Sequence, residues 1–578
     1  MNITNETTGR RASWFAASMG VLSCLVFAAA VWFGPARQHE AIQVVFVAVV
    51  MAGVLLVILF ATARLAFSLM LTGILFLTLS AVAYAKQVFL GNALLISDLY
   101  YMTGTSVMET ISEYPHLWKM VVGWLLVSVV LLVLSCRYAW RPFERNIGRW
   151  RLAVRPIGCA CGLLLIAWVL WPKGAFASLY KQSMWTAINQ NARLTSFFMS
   201  INVLKVRLPH VHDSQQQLEK WNRIADTRVS GGATLLPDIV VVLEESTFDP
   251  ATLPDCNIPE CANHSLIEPN AWTKAHGPMY SYVYGAGTWL SEFDVLTGLP
   301  YGIFGSAGGY APWLLAPRMR DSLPLQLRRQ GYRNVAVYPV DGGYFNARKA
   351  YQYYGFDAFH GARELKLRAW GASDASIFVA AEQVYETERK RTKQPIFMMI
   401  LTINQHGPHD NHPLDTLPSP YNKGLFPKLS KEEQLDLSNY LSRLDASDRA
   451  MEGLEKFFLD RSHPTVVVSF GDHKPSFSGL METLKIVPPR GYHGDPKHLT
   501  YFKLDANFQT PLLPHYPVTD ITFLPTLMIQ AANLPRDGYF TASEHLRDVC
   551  DGLFASCEDK TVLDSYYGWL FSNHKVFQ

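Results

Sequence analysis

Hydrophobic positions fall into two regimes along the chain. In the first 172 residues apolar side chains run almost without interruption. Five stretches, 12–36, 41–63, 65–85, 120–136 and 156–172, contain no Asp, Glu, Lys or Arg. A helix needs roughly 20 apolar residues to cross the hydrocarbon core of a bilayer. The first three runs meet that length alone. The last two reach it if Lys119 and Arg155 extend their charged heads to the interface. Repetition of the pattern predicts a five-helix transmembrane domain over residues 1–173, not a signal peptide or one buried core helix. Residues 174–230 form a connector. There Leu179, Tyr180, Met184, Trp185 and Ile188, then Phe197, Phe198, Ile201 and Leu204, recur at helical spacing. Such helices either lie on the membrane interface or pack on the outer domain.

From about residue 231 to 578 the pattern changes. Short β-branched runs at 239–243, 335–338, 396–401 and 466–470 read as buried strands. Longer helical patterns separate them. Within 434–458, Leu437, Tyr440, Leu441, Leu444, Met451, Leu454 and Phe457 make one apolar face. Strands alternating with helices predict an α/β domain with a mostly parallel sheet covered on both faces.

Composition narrows the class. The 578 residues are 49% hydrophobic and 17% charged, with a net charge of +3, which excludes a disordered chain. No basic domain stands out, so no nucleic-acid partner is expected. Arg137, Arg141, Arg145, Arg149, Arg151 and Arg155 crowd the segment between the fourth and fifth runs, and Arg10 and Arg11 precede the first. The positive-inside rule puts both segments in the cytoplasm. Five spans then place everything after residue 173 outside. Cys256/Cys261 and Cys550/Cys557 are close pairs in that outer part. They read as two short-loop disulfides, with free thiols as the alternative. The expected location is a bacterial inner membrane, with the large domain in the periplasm.

In open α/β sheets, ligands bind beyond the carboxyl ends of the strands. After the first strand come Glu244, Glu245 and Ser246. After the third come Thr402, Asn404, Gln405, His406 and His409. After the fourth come Gly471, Asp472 and His473. Each set alone reads equally as helix caps. Together they bring carboxylates and imidazoles to one sheet edge, a donor mix suited to a divalent cation. Thr288 follows the glycines of Tyr284-Gly-Ala-Gly-Thr and precedes an amphipathic helix start. A hydroxyl there faces helix N–H groups that favour anions, and a bound metal would ease its deprotonation. It also reads as a simple N-cap. His493 and His498 are candidates for a further metal site, or solvated loop residues.

Glu-Ser after the first strand, Gly-x-Gly-Thr-x-x-Ser-Glu-Phe and Gly-Asp-His after a late strand form one constellation. It resembles the lipoteichoic acid synthase and phosphoglycerol transferase group, membrane-anchored members of the alkaline phosphatase/sulfatase superfamily. The lipid A phosphoethanolamine transferases share that plan. The resemblance implies one divalent ion, Mn²⁺ first, with Zn²⁺ or Mg²⁺ as alternatives, on Glu245, Thr288, Asp472 and His473. It implies Thr288 as nucleophile and His406 beside the head group or leaving oxygen. It also implies that Arg348 meets the substrate, although this arginine stands one position late, with Ala347 in its expected place and Phe345 where a tryptophan is usual. The implied reaction moves a phospho-head group from a membrane phospholipid donor to a glycan or other envelope acceptor through a phosphothreonine. Ser291-Glu292-Phe293 looks like the phosphoglycerol branch, which points to phosphatidylglycerol. A phosphoethanolamine transferase and a phosphodiester or sulfate ester hydrolase of the same fold are the alternatives. The Cys/Ser-x-Pro-x-Arg frame of formylglycine sulfatases is absent from the outer cysteines.

Overall fold

The computed structural model describes the chain apart from residues 1–2, 91–92, 102–114, 139–150, 181–191, 203–205, 207, 210–213, 228–230, 233–234, 255, 257, 263 and 537. The chain divides into two compact units, Met1–Lys205 and Val206–Gln578.

The first unit is helical: α1 (Ile3–Phe33), α2 (Ala41–Thr62), α3 (Leu65–Leu90), α4 (Pro115–Tyr138) and α5 (Arg151–Val169). The spans Trp14–Arg37 (α1 with the turn that follows it), Ala41–Thr62, Leu65–Gln87 and Trp118–Arg137 are long and apolar enough to cross a membrane. The fifth predicted run forms a shorter apolar helix, Ala153–Val169. Small residues bring α5 against α2. A Cβ on Gly162 would lie 2.8 Å from Val57 and 2.9 Å from the Gly53 carbonyl, so the two backbones approach closely. Arg155 donates to the carbonyls of Phe60 and Ala61, capping the last turn of α2 with positive charge. Outward on α4, Leu125, Leu126, Val129, Val130 and Val133 are exposed, a surface suited to lipid and not to water. The basic segment 139–150, which carries much of the orientation argument, lies outside the described residues, as do Met184, Trp185 and Ile188. The helix Arg193–Met199 belongs to this unit, with Phe198 against Phe76. The helix Gln215–Ala225 belongs to the second unit, where Trp221 packs on Tyr566 and donates to Ser565.

The second unit is built on one eight-stranded sheet: β1 (Asp238–Glu244), β2 (Thr273–Tyr280), β3 (Arg333–Val337), β4 (Ala358–His360), β5 (Ile396–Leu401), β6 (Thr465–Gly471), β7 (Leu499–Ala506) and β8 (Thr519–Asp520). Their order is β4-β3-β5-β1-β6-β7-β2-β8. The sheet is mixed: β4 through β6 pair in parallel, while β7 runs antiparallel to both β6 and β2. Every residue of β1, β5 and β6 is buried, as expected for strands covered on both faces. The predicted helix at 434–458 is observed as Lys431–Leu459, opened by a capping box on Ser430 and Glu433. Both predicted cysteine pairs are disulfides.

Register positions the site. Leu243 pairs with Leu401, and Glu244 with Gly471. The three central strands therefore end level, and Glu245, Thr402 and Asp472 leave the sheet side by side.

Candidate active site

Glu245, Asp472 and His473 converge, each buried, with one donor atom apiece all within 4.8 Å of one another. The local backbone is bent to make this possible. Ser246 adopts a left-handed φ of 50°, uncommon for a residue with a side chain. In that pose its N–H donates to Asp472 Oδ1 at 2.7 Å, and the His473 N–H donates to the same oxygen at 2.7 Å. Two backbone donors thus satisfy one oxygen of Asp472 and fix the carboxylate plane. The other oxygen, Oδ2, is buried with no hydrogen-bond partner, and so is His473 Nε2. The His473 Nδ1–H faces the Lys474 carbonyl at 3.1 Å, which selects the tautomer with a lone pair on Nε2.

Burial, and then the neighbouring Glu245, pushes the Asp472 carboxyl well above its usual range. Burial likewise holds the His473 imidazole below its ordinary value, in its neutral form. Glu244 lies beneath, also pushed well up by burial and by Asp374. Crowded acids with an orphaned oxygen beside an orphaned imidazole nitrogen are what a cation site looks like without its ion. Two carboxylates and one imidazole suit Mn²⁺, Zn²⁺ or Mg²⁺, so the residues present fit a divalent metal.

Thr288 completes the group. It opens the helix Thr288–Thr297 after Gly287, whose φ of 111° suits glycine. Its hydroxyl donates to Glu245 Oε2 at 2.6 Å. Ser246 Oγ donates to the other oxygen, Oε1, at 2.8 Å. Ser281 and Ser291 hold the Asp472 carbonyl at 2.6 and 3.0 Å, tying the strand end to this helix. Thr402 accepts the Glu245 N–H at 3.0 Å and donates to Glu244 at 3.2 Å.

The remaining sequence candidates lie differently. His406 follows β5, with its Nδ1 facing the Gly407 carbonyl at 2.6 Å and its ring 4.8 Å from Trp370. Arg443, on the helix Lys431–Leu459, donates to the His406 carbonyl at 2.9 Å and the Pro408 carbonyl at 2.8 Å, so it fixes this loop. The sequence pattern gave no weight to Arg443, because only the apolar face of its helix was periodic. His409 is buried against Tyr440 and Phe477, donates from Nε2 to the Gln405 carbonyl, and is held down to about 3 by burial. Arg348 lies on the helix Ala347–Tyr354. Its guanidinium pairs with Glu364 at 2.6 Å, donates to the Phe359 carbonyl and covers the Phe359 ring. His498 bonds the Ser281 carbonyl at 2.9 Å and stacks on Tyr280, and His493 is exposed. Among the described residues neither joins the group of Glu245, Asp472 and His473.

Residues 237–520 match the family model described as Sulfatase. An uncharacterized protein from Haemophilus influenzae is 27% identical over 371 residues, which is 62% of this chain and 65% of that protein. A Rhizobium meliloti protein, provisionally named for cyclic beta-1,2-glucan modification, is 25% identical over 418 residues, 68% of this chain and 61% of its own. The chain therefore spans less than two thirds of the length of either relative. Among solved structures, a Streptococcus pyogenes phosphoglycerol transferase in complex with sn-glycerol-1-phosphate is 19% identical, covering 64% of this chain and 99% of that one, with a TM-score of 0.47. A lipooligosaccharide phosphoethanolamine transferase from Neisseria meningitidis is 13% identical, covering 88% and 95%, with a TM-score of 0.47.

Two outcomes follow from this geometry. Asp472→Asn or Glu245→Gln replaces an anionic donor by a neutral amide of the same shape. Each variant should bind divalent metal at least about tenfold more weakly, read by elemental analysis after dialysis against graded metal. Unchanged metal content in both would place the ion elsewhere. The second concerns Glu292, buried beside Tyr338 at 3.3 Å and pushed up to about 8 by that burial. A carboxyl raised in the folded state binds its proton more tightly there than when unfolded. Stability from this group is present below its unfolded value and is lost as pH rises toward about 8, at up to roughly 1.4 kcal/mol per pH unit. Glu292→Gln should therefore gain stability over the parent at pH 8.5 relative to pH 5. An identical pH profile of unfolding in both proteins would remove Glu292 from this role.

Proposed function

We propose that the chain transfers a phospho-head group from a membrane phospholipid to an envelope acceptor, a reading supported by the match of residues 237–520 to the Sulfatase family model. Phosphatidylglycerol is the first-choice donor, and a glycan hydroxyl is the first-choice acceptor. The observation that carries the reading is the Thr288 hydroxyl, 2.6 Å from Glu245 at a helix N-terminus. Glu245 belongs in turn to the cluster with Asp472 and His473. A divalent ion on Glu245, Asp472, His473 and the Thr288 oxygen would polarise the phosphodiester and favour the Thr288 alkoxide.

Thr288 Oγ1 attacks phosphorus in line with the diacylglycerol oxygen. The O–P bond to Thr288 forms as the P–O bond to diacylglycerol breaks. Glu245, already the acceptor of the Thr288 hydrogen bond, takes the hydroxyl proton. His406 gives a proton to the departing diacylglycerol oxygen. In the second step the acceptor hydroxyl attacks the phosphothreonine, its proton passes to His406, and Thr288 leaves and recovers its proton from Glu245. The backbone N–H groups at the start of the Thr288–Thr297 helix face the phosphate oxygens and favour the added charge. Arg348 is assigned no step in this scheme; its guanidinium pairs with Glu364 and donates to the Phe359 carbonyl.

The helices long and apolar enough to span a membrane support an anchored enzyme that draws its donor from the bilayer. The two disulfides support an oxidising compartment for the domain, hence a periplasmic face of a bacterial inner membrane. The glucan-modification name of the Rhizobium meliloti relative supports a glycan acceptor.

The test uses the full chain in detergent, with radiolabelled phosphatidylglycerol and phosphatidylethanolamine supplied separately. Release of diacylglycerol from phosphatidylglycerol is expected. Thr288→Ala should lower it by at least about a thousandfold while leaving the thermal midpoint unchanged. Release from phosphatidylethanolamine alone would change the donor and keep the mechanism. Release from neither lipid would overturn the transferase reading, as would full activity in Thr288→Ala.

A further inference from the structure

Next to the candidate nucleophile stands a continuous set of aromatic rings that the scheme above leaves unused. Trp289, which directly follows Thr288, stacks on Phe345 with ring centroids 3.8 Å apart. Trp313 approaches the same Phe345 ring at 5.8 Å. Tyr344 meets Phe345 at 4.7 Å and Trp370 at 4.9 Å, and Trp370 reaches His406 at 4.8 Å. The rings therefore lead without a gap from the residue beside Thr288 to the histidine proposed as proton donor. Phe345 is buried behind them, while Trp289, Trp313, Tyr344, Trp370 and His406 are half-buried.

Two strained segments hold this arrangement. Phe345 and Asn346 are consecutive left-handed residues with φ of 43° and 59°. Trp370 is left-handed as well, with φ of 55°. Bulky residues avoid that region, and such strain collects at functional sites. Trp289 is fixed by its indole N–H on the Gly309 carbonyl at 3.1 Å. Asn346 is fixed by a bond to the Pro312 carbonyl at 2.9 Å. The rings are thus set in place before any ligand arrives, which lowers the ordering cost of binding.

Both acids beside the wall, Asp341 and Glu364, are paired with arginines. Asp341 pairs with Arg363 at 3.5 Å and accepts from the Gly343 N–H, and Glu364 pairs with Arg348 at 2.6 Å. An ammonium cage needs only a few rings enclosing one point. Here the rings extend over several successive contacts, which fits an extended neutral ligand with flat, weakly polar faces.

We propose that Trp370, Tyr344 and Trp313 form an acceptor subsite for the rings of a neutral glycan, which delivers its hydroxyl between Thr288 and His406. This rests on the transferase reading with its glycan acceptor, and adds the residues that bind the acceptor and its neutral character. Apolar C–H faces of a pyranose would lie on the aromatic rings, and its hydroxyls would stay available for hydrogen bonding.

The test measures binding apart from turnover. Full-length Thr288→Ala in detergent is titrated with β-1,2-linked gluco-oligosaccharides by calorimetry, with glycerol and ethanolamine as comparison probes. Saturable binding of the oligosaccharide, and of neither small probe, is expected. Adding Trp370→Ala should weaken that binding by about tenfold or more. Trp370→Phe should restore most of it, which separates loss of a stacking face from loss of fold. Oligosaccharide affinity that Trp370→Ala and Tyr344→Ala leave unchanged would overturn the proposal, as would absence of binding. Preferential binding of ethanolamine would overturn it in favour of a cationic head group. Diacylglycerol release by the parent protein reports on the transferase reading separately, so the two can fail independently.

Discussion

Glu245 and Asp472 are buried side by side, with Glu244 just beneath, and the repulsion among them is the constraint to which the rest of the site answers. Removing such charges from water is costly unless they are protonated, hydrogen-bonded or paired. The fold meets part of that cost with dipoles: two backbone N–H groups on Asp472 Oδ1, and the Thr288 and Ser246 hydroxyls on Glu245. It leaves Asp472 Oδ2 and His473 Nε2, 3.4 Å apart, without hydrogen-bond partners. A divalent cation held by Glu245, Asp472 and His473 would supply the missing charge. The same cation, held against the Thr288 oxygen, would acidify that hydroxyl, so the charge that stabilises the pocket would also prepare the proposed nucleophile.

The scaffold delivers these groups through register. Parallel pairing of β1 with β5 and β6 levels three strand ends. Thr402, Ser281 and Ser291 then brace the loops that follow. Arg443 plays the corresponding part for the loop of His406, binding carbonyls on both sides of Gly407. None of these bracing groups needs to touch substrate. Each restricts where a reacting group can sit, and positioning of that kind carries much of the rate gain in phosphoryl transfer.

The parts of this arrangement that were readable from the sequence are those with local signatures. Four strands were visible because β1, β3, β5 and β6 each contain a short, mostly apolar run. β2 and β7 were not. Gly277 and Pro278 break the pattern of β2. In β7, Lys503 and Asp505 are charged yet buried, a placement made possible by Glu455 at 2.7 Å from Lys503, on a helix distant in sequence. The convergence of Glu245, Thr288, Asp472 and His473 was legible because each follows a strand or glycine turn. The strained conformations of Ser246 and Trp370 left no such mark, since left-handed backbone is signalled by glycine or asparagine and neither residue is one. Arg348 shows the reverse: a motif offset by one position, and a side chain whose partners are Glu364 and Phe359.

Everything in the proposed reaction passes through a covalent bond to one side chain. The most direct measurement is mass spectrometry of the tryptic peptide containing Thr288, after brief incubation of the protein with mixed phospholipids and acid quench. The account predicts an added glycerophosphoryl mass on Thr288, lost when an acceptor sugar is supplied before the quench. An unmodified Thr288 under conditions where diacylglycerol is released, or the added mass on any other residue, would contradict it.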